Sequence, residues 1–312
     1  MSLRWIGAAC AMLLSACETL PPTGAAIDMS GKFDTVPRVA IATAYAPEIE
    51  ALMPFLQSGV EYQENGVSFW TGDMAGEEVI LFATGISLVN AAMNTQLLID
   101  HFNVEAIVVS GVAGGVDPDL SYADVTVASK WGQYNEMVFM RETDPGVYVP
   151  HPGLGPEFEP FMFMGPRGMP VSNAADPNSS DRRFWYPVDE GLMEIAKVAA
   201  ETAEMKACAS EDVCLPRTPK IVFGGAGVTG SVFMDNAAFR EYLFETFDAQ
   251  VLEMETSAIG TVAYANDVPY IAFRSLSDLA GGGGGENEYP IFEVLASENN
   301  AALVLAFLEA YD

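Results

Sequence analysis

Three carboxylates crowd into one short stretch near the end of the chain. Glu253 and Glu255 lie in V-L-E-M-E-T-S-A-I-G (251–260), and Asp278 closes P-Y-I-A-F-R-S-L-S-D (269–278). Apolar runs at 250–254 and 270–275 read as buried strands, and helical spacing through Ile259, Val262 and Ala263 makes 256–266 a helix. The acids therefore sit at strand ends of one βαβ unit, where open α/β sheets build their sites. Carboxylates there suit work on a sugar or a base. Each is also explicable as a solvated strand end or a helix cap, and Glu253 in particular as half of an ion pair.

The elements that must position them alternate. Strands are expected at 39–43, 79–84, 107–110, 125–129 and 221–223. Helices are expected at 47–57, 88–102, 189–205, 236–247 and 292–308, with Pro47 in the first turn of its helix. Such alternation implies a mixed or mostly parallel sheet covered on both faces. No repeat and no linker divides the chain, so one domain is expected. Residues 140–187 break the pattern, being dense in Pro, Gly and aromatics (Pro145, Pro150, Phe158, Phe161, Phe184, Trp185). A segment this long reads as a lid, an oligomer contact, or an excursion packed by its own aromatics.

The chain has 312 residues, half of them apolar, with 14 Lys and Arg against 43 Asp and Glu, a formal charge of −29. That balance excludes nucleic acid as a partner, since no basic surface exists to displace counterions from phosphates. Residues 1–17 read as a lipoprotein-type signal peptide: a short basic start, an apolar run too short for a stable span, and L-S-A-C ending at Cys17. Lipid on Cys17 would be the chain's only membrane contact, followed by a polar, Pro-containing tether over 18–37. The expectation is an exported lipoprotein on the periplasmic side or surface of a bacterium. Cys208 and Cys214 are the remaining cysteines; in an oxidising compartment they pair, and in a reducing one they stay free. Neither His101 nor His151 stands at ligand spacing from them, so no metal is expected.

Four separated blocks carry a resemblance. They are R-V-A-I-A-T-A-Y-A-P-E-I-E-A-L (38–52), A-T-G-I-S-L-V-N-A-A (83–92), I-V-V-S-G-V-A-G-G-V-D-P-D-L-S-Y-A-D-V (107–125) and the stretch 250–285. In order and spacing they resemble the nucleoside phosphorylase and nucleosidase superfamily, in particular the methylthioadenosine/S-adenosylhomocysteine nucleosidases. F-W-Y-P-V-D (184–189), C-L-P-R-T-P-K (214–220) and G-S-V-F-M-D-N-A-A-F-R-E-Y-L (230–243) look like the plant bark storage branch of that superfamily.

The resemblance implies a single-domain, nucleoside-phosphorylase-like three-layer α/β fold over 38–312, a mixed central sheet with helices on both faces. It implies a purine nucleosidase that hydrolyses the N-glycosidic bond of adenosine-type nucleosides with water and no cofactor. Breaking that bond leaves positive charge on the sugar and negative charge on the base, and carboxyl groups serve both needs. By resemblance Asp278 is the general acid at the purine N7, Glu255 grips the ribose hydroxyls and Met254 packs on the sugar. Glu48 activates the water, helped by Thr84 and Arg274, and Gly114 and Gly115, in a glycine loop with Gly111, let backbone approach the nucleoside. The family carries a base-stacking aromatic where this chain has Ala226, Gly227 and Val228; Phe233, Tyr45 or an aromatic of the insert is the replacement. A homo-oligomer is implied, with Trp131 and Tyr134 reaching across its interface. A noncatalytic storage or nucleoside-binding protein and a phosphorylase are the alternatives, the latter disfavoured because the loop before Glu48 has no arginine for phosphate.

Overall fold

The computed structural model describes residues 31–178, 181–282 and 285–311. The expected signal peptide, Cys17 and the tether up to residue 30 lie outside the described residues. Strand β1 (Asp34–Thr43) begins well before the apolar run that announces it. Arg38 is the reason: it is buried, and Asp34 (2.6 Å), Glu78 and the Gly72 carbonyl (3.4 Å) take up its guanidinium. α1 (Ala46–Leu52) then gives way to a 3-10 turn at Met53–Phe55, shorter than the expected helix.

A meander follows that the sequence did not reveal. β2 (Gln57–Glu64), β3 (Val67–Met74) and β4 (Glu77–Ala83) are antiparallel neighbours, and β4 returns parallel to β1. α2 (Leu88–His101) leads into the longest strand, β5 (Phe102–Gly115). The glycines expected in a loop after that strand belong to its final turns of pleat. Short strands β6 (Val125–Val127) and β7 (Lys130–Gln133) precede the insert, which ends in β8 (Trp185–Pro187).

α3 (Glu190–Ala199), capped by the Asp189 carboxylate, ends before the expected residue 205. β9 (Ile221–Phe223), β10 (Ala226–Thr229) and α4 (Ala237–Phe247), capped by Asn236, lead to the motif region. There β11 (Ala249–Glu253), α5 (Thr256–Asn266), β12 (Tyr270–Asp278) and α6 (Tyr289–Glu309) complete the chain.

The strands form one mixed twelve-stranded sheet, in the order β8-β7-β10-β11-β5-β1-β4-β3-β2, with β12 beside β5, β6 beside β12 and β9 beside β6. Helices cover it in two groups: α6 lies on β12 and β5 and touches α1 and α3, while α2 and α5 pack on each other. α6 is long and apolar enough to cross a membrane, but most of it is buried as a core helix.

The arrangement at β5 creates the site. β5 pairs with β1 as far as Val109, and with the antiparallel β11 only from Gly114. Residues 110–113 thus have β12 on one side and no strand on the other. β1 and β11 both end pointing at this gap. A crevice where strands part company at their carboxyl ends is where open α/β sheets bind ligands.

The insert forms three short two-stranded pairings: Met137–Phe139 with Met164–Pro166, Arg141–Asp144 with Val147–Val149, and Met169–Pro170 with Arg182–Arg183. Its aromatics pack on α4, Phe158 against Phe247 (5.0 Å) and Phe161 against Tyr242 (5.1 Å). The Tyr242 hydroxyl donates to the Glu159 carbonyl (2.8 Å). These contacts fasten the segment to α4. Cys208 and Cys214 are joined by a disulfide in a tight bend, with the Leu215 N–H donating to the Ala207 carbonyl (2.7 Å).

Asn300 of α6 ties the gap together. Its amide nitrogen donates to Ser110 Oγ (3.1 Å), the Gly111 carbonyl (3.0 Å) and the Phe273 carbonyl (3.0 Å), bridging β5 and β12 in a fully buried setting. Replacing it leaves buried acceptors without a donor, each costing about 1–3 kcal/mol. Asn300→Leu should therefore lower unfolding free energy in urea by at least about 1 kcal/mol; an unchanged midpoint and slope would contradict this role.

Candidate active site

Glu48 reaches the gap from α1, and Arg274 reaches it from β12. Glu48 Oε1 accepts from the Val112 N–H (2.8 Å), its Oε2 accepts from the Ala44 N–H (2.6 Å), and Arg274 Nη1 donates to the Val112 carbonyl (3.3 Å). The two side chains thus serve the backbone of Val112 where a neighbouring strand is missing, as buried polar groups require. They fit because residue 111 is glycine: a Cβ there would overlap Arg274 Nη1 and Glu48 Oε1.

Arg274 is 1% exposed and touches three glutamates. Glu253 Oε2 accepts directly from Nη2, Glu255 Oε2 lies 3.5 Å from the same nitrogen, and Glu48 Oε1 lies 3.8 Å from Nη1. Glu253 is satisfied on every side. Its carboxylate also accepts from the Glu255 N–H (2.9 Å), the Thr256 N–H (2.8 Å) and the Thr229 hydroxyl, so it caps α5 and anchors β10. Its structural reading, as an ion-pair partner and helix cap, is the one the contacts describe.

Glu255 Oε1 accepts from the Ser87 N–H (2.8 Å). Ser87, at the start of α2, has φ of 82°, a conformation that favours glycine and costs a serine about 1–3 kcal/mol. Asp278 ends β12: its Oδ1 accepts from the Ala280 N–H (2.8 Å) and its Oδ2 from the Ser277 hydroxyl (3.0 Å).

One guanidinium cannot balance three carboxylates, and burial makes each uncompensated charge expensive. Burial pushes the Glu48 carboxyl above its ordinary range, against the pull of Arg274 and two backbone N–H groups. Burial first, and the charge of Glu253 second, push Glu255 up to about 8. Asp278 is also raised by burial, despite the donors on its oxygens.

A pocket opens over these groups, lined among others by Tyr45, Glu48, Ile86, Gly114, Phe233, Glu253, Met254, Glu255, Asp278 and Tyr289. Six of the expected site residues, Glu48, Gly114, Phe233, Met254, Glu255 and Asp278, therefore share one cavity wall. Three expected residues stand behind it. Arg274 lies beneath the glutamates. Gly115 is turned away, its carbonyl accepting from Arg240 (2.8 Å) and its α-carbon facing Leu276, so the backbone approach expected there is confined to Gly114. Thr84 does not line the pocket either, because its hydroxyl donates to the Gly85 carbonyl (3.0 Å).

Trp131 and Tyr134 correct another expectation. They are 0% and 3% exposed, inside the chain, and cannot reach across an interface. Trp131 also explains the missing aromatic: it is the sheet partner of Gly227, and its ring occupies the space that any side chain at 227 would need. Three aromatics line the pocket: Tyr45, Tyr289 and Phe233, the last 61% exposed and edge-on to Tyr289 (6.0 Å). Sequence reasoning missed Ile86, Tyr289 and the strained Ser87. Only Ser87 carried a signal, a serine directly after G-I where the chain turns sharply into a helix.

The phosphorylase superfamily model matches residues 38–309, and the chain belongs to that superfamily. It is 30% identical over 272 residues to a 5'-methylthioadenosine/S-adenosylhomocysteine nucleosidase of Halalkalibacterium halodurans, covering 87% of this chain and 97% of the relative. It is 26% identical over 228 residues to bark storage protein A of Populus deltoides, 69% of this chain and 70% of that one. In fold it is similar to the 5'-methylthioadenosine/S-adenosylhomocysteine nucleosidase of Neisseria meningitidis solved with methylthio-immucillin-A, at a TM-score of 0.65 and 21% identity, with 88% and 98% of the two chains covered.

The raised carboxyls make stability depend on pH in a definite sense. The folded protein holds these protons more tightly than the unfolded chain, so stability present below the ordinary glutamate value of 4.5 is lost as pH rises toward about 8. The urea midpoint should fall between about pH 5 and about pH 8, and Glu255→Gln should flatten that fall. A slope identical in the variant would contradict the shift.

Proposed function

We infer that this pocket hydrolyses the N-glycosidic bond of adenosine-type purine nucleosides. The protein is an N-glycosidic hydrolase of the nucleosidase kind. One observation carries the reading: the pocket wall holds four carboxyl groups, Glu48, Glu253, Glu255 and Asp278, and no lysine or arginine. Arg274, the remaining cation for an anionic nucleophile, is sealed beneath the glutamates. Phosphate entering here would meet negative charge and no donor fork, whereas water meets a base.

The chemistry follows from the contacts. Asp278, kept protonated by burial, donates to the purine as the glycosidic bond breaks, so the base leaves neutral. Glu255, fixed by the Ser87 N–H, accepts from the ribose hydroxyls and holds the ring. Met254 packs against the sugar. Glu48 is held rigidly by Ala44 and Val112, takes a proton from the attacking water, and adds negative potential beneath an oxocarbenium-like ribose. Arg274 keeps the three glutamates at their stations without entering the pocket. Phe233 covers the base at the open side.

Export, lipid attachment at Cys17 and self-association extend this reading. The first two rest on the L-S-A-C sequence and fit a Cys208–Cys214 disulfide, which persists in oxidising compartments. Self-association rests on exposed apolar side chains: Ile86 and Phe233 at the pocket, and Val89 and Met93 on α2.

The test is release of free base from adenosine, methylthioadenosine, S-adenosylhomocysteine and inosine, with and without phosphate. Release from an adenosine-type nucleoside without phosphate is expected; a requirement for phosphate would overturn hydrolysis. Asp278→Asn should lower kcat by about 10²- to 10⁴-fold while nucleoside binding stays measurable. Near-full activity in that variant would remove Asp278 as the acid. In the wild type, kcat should fall as pH rises through the raised Asp278 pKa, and a rate still climbing there would be equally damaging.

A further inference from the structure

Two tyrosines and a glutamate form a closed hydrogen-bonded chain at the pocket wall. Tyr45 is the residue before α1, three positions ahead of Glu48, and Tyr289 is the first residue of α6 with Glu293 one turn on. The Tyr289 hydroxyl lies 2.9 Å from the Tyr45 hydroxyl, which lies 3.5 Å from Glu293 Oε2. Both rings line the pocket. Each hydroxyl has one hydrogen: one is shared between the two tyrosines and the other goes to Glu293, so whichever tyrosine faces the carboxylate both hydrogens are spent. What the chain offers to a ligand is therefore oxygen lone pairs, not donors.

The pair stands beside Glu48 on the pocket wall: Tyr45 is three positions ahead of it at the start of α1, and the Tyr289 hydroxyl is bonded to that of Tyr45. Burial chiefly raises both phenols, with the charge of Glu48 adding to it: Tyr289 is pushed up to about 12 and Tyr45 further still. A bound nucleoside has its 2'- and 3'-hydroxyls engaged by Glu255, which leaves the 5' substituent as the sugar group that meets the tyrosines.

On the nucleosidase reading, we propose that the Tyr45–Tyr289–Glu293 chain selects nucleosides with a hydrogen-bond donor at the 5' position, a 5'-hydroxyl, over those with a 5'-thioether. A 5'-hydroxyl can donate to the Tyr289 oxygen and satisfy it. A thioether sulfur has no hydrogen to give, and its approach strips water from phenol oxygens that then go unpaired. The same lone pairs, with Glu293 behind them, repel a 5'-phosphate, so nucleotides are excluded.

The test compares kcat/KM for adenosine, 5'-deoxyadenosine and methylthioadenosine in the full-length protein. 5'-Deoxyadenosine lacks the donor without adding the bulk of sulfur. Adenosine should be preferred over both by about tenfold or more, and Tyr289→Phe should bring the three within a fewfold of one another. Dissociation constants of the same three nucleosides for the Asp278→Asn protein, by calorimetry, read the preference without turnover. Equal or better use of methylthioadenosine by the wild type, or a preference that Tyr289→Phe leaves in place, would overturn the proposal. Failure to cleave any of the three would sink the nucleosidase reading instead, and the calorimetric ranking would then decide this proposal alone.

Discussion

Arg274 is the residue on which the rest of the site depends. It fills the break between β1 and β11, and from there contacts Glu253, Glu255 and Glu48, which arrive from different directions in the chain. Remove it and three buried carboxyls would face one another with no cation, in a medium where each uncompensated charge costs several kcal/mol. The geometry is stable because most of the acids' oxygens also receive backbone N–H groups. Glu48 is fixed by two of them and Glu253 by two more.

The shortage of positive charge is as important as its presence. With one guanidinium among three glutamates, the protein must keep some carboxyls protonated, and a site that runs both an acid and a base needs groups whose proton affinity has been moved toward neutrality. The same shortage separates water from phosphate as the nucleophile. Electrostatics thus link the fold's defect, a strand missing beside residues 110–113, to the choice of reaction.

Much of this was legible in the sequence. α5 spans the residues its periodicity gave, β9 likewise, and six of the nine residues expected at the catalytic and binding site line one pocket. What escaped has physical causes. β2 is nearly all exposed, so its eight residues show no apolar alternation. β12 runs on past its apolar stretch, which ends at Ser275, to Asp278, because Ser275 and Ser277 bury their hydroxyls against the carbonyls of Ala123 and Ala113. β5 continues through Gly114 and Gly115 because those glycines make room for Asp278, Ala280 and Leu276, not because the chain turns there. Thr84 was placed by analogy of position, and the structure has it fully buried and outside the pocket lining. Trp131 could not be assigned from sequence, since nothing local shows that its ring lies over Gly227.

The segment 140–187 anchors on α4, and none of its described residues lines the pocket. Its aromatic contacts and the pocket lining therefore have no residue in common. Drift, lengthening or replacement of that segment can alter what the outer surface meets without retuning the acids. A lineage could in this way acquire a new location or a new neighbour while its chemistry stayed as it was, or lose its chemistry while the same outer surface persisted.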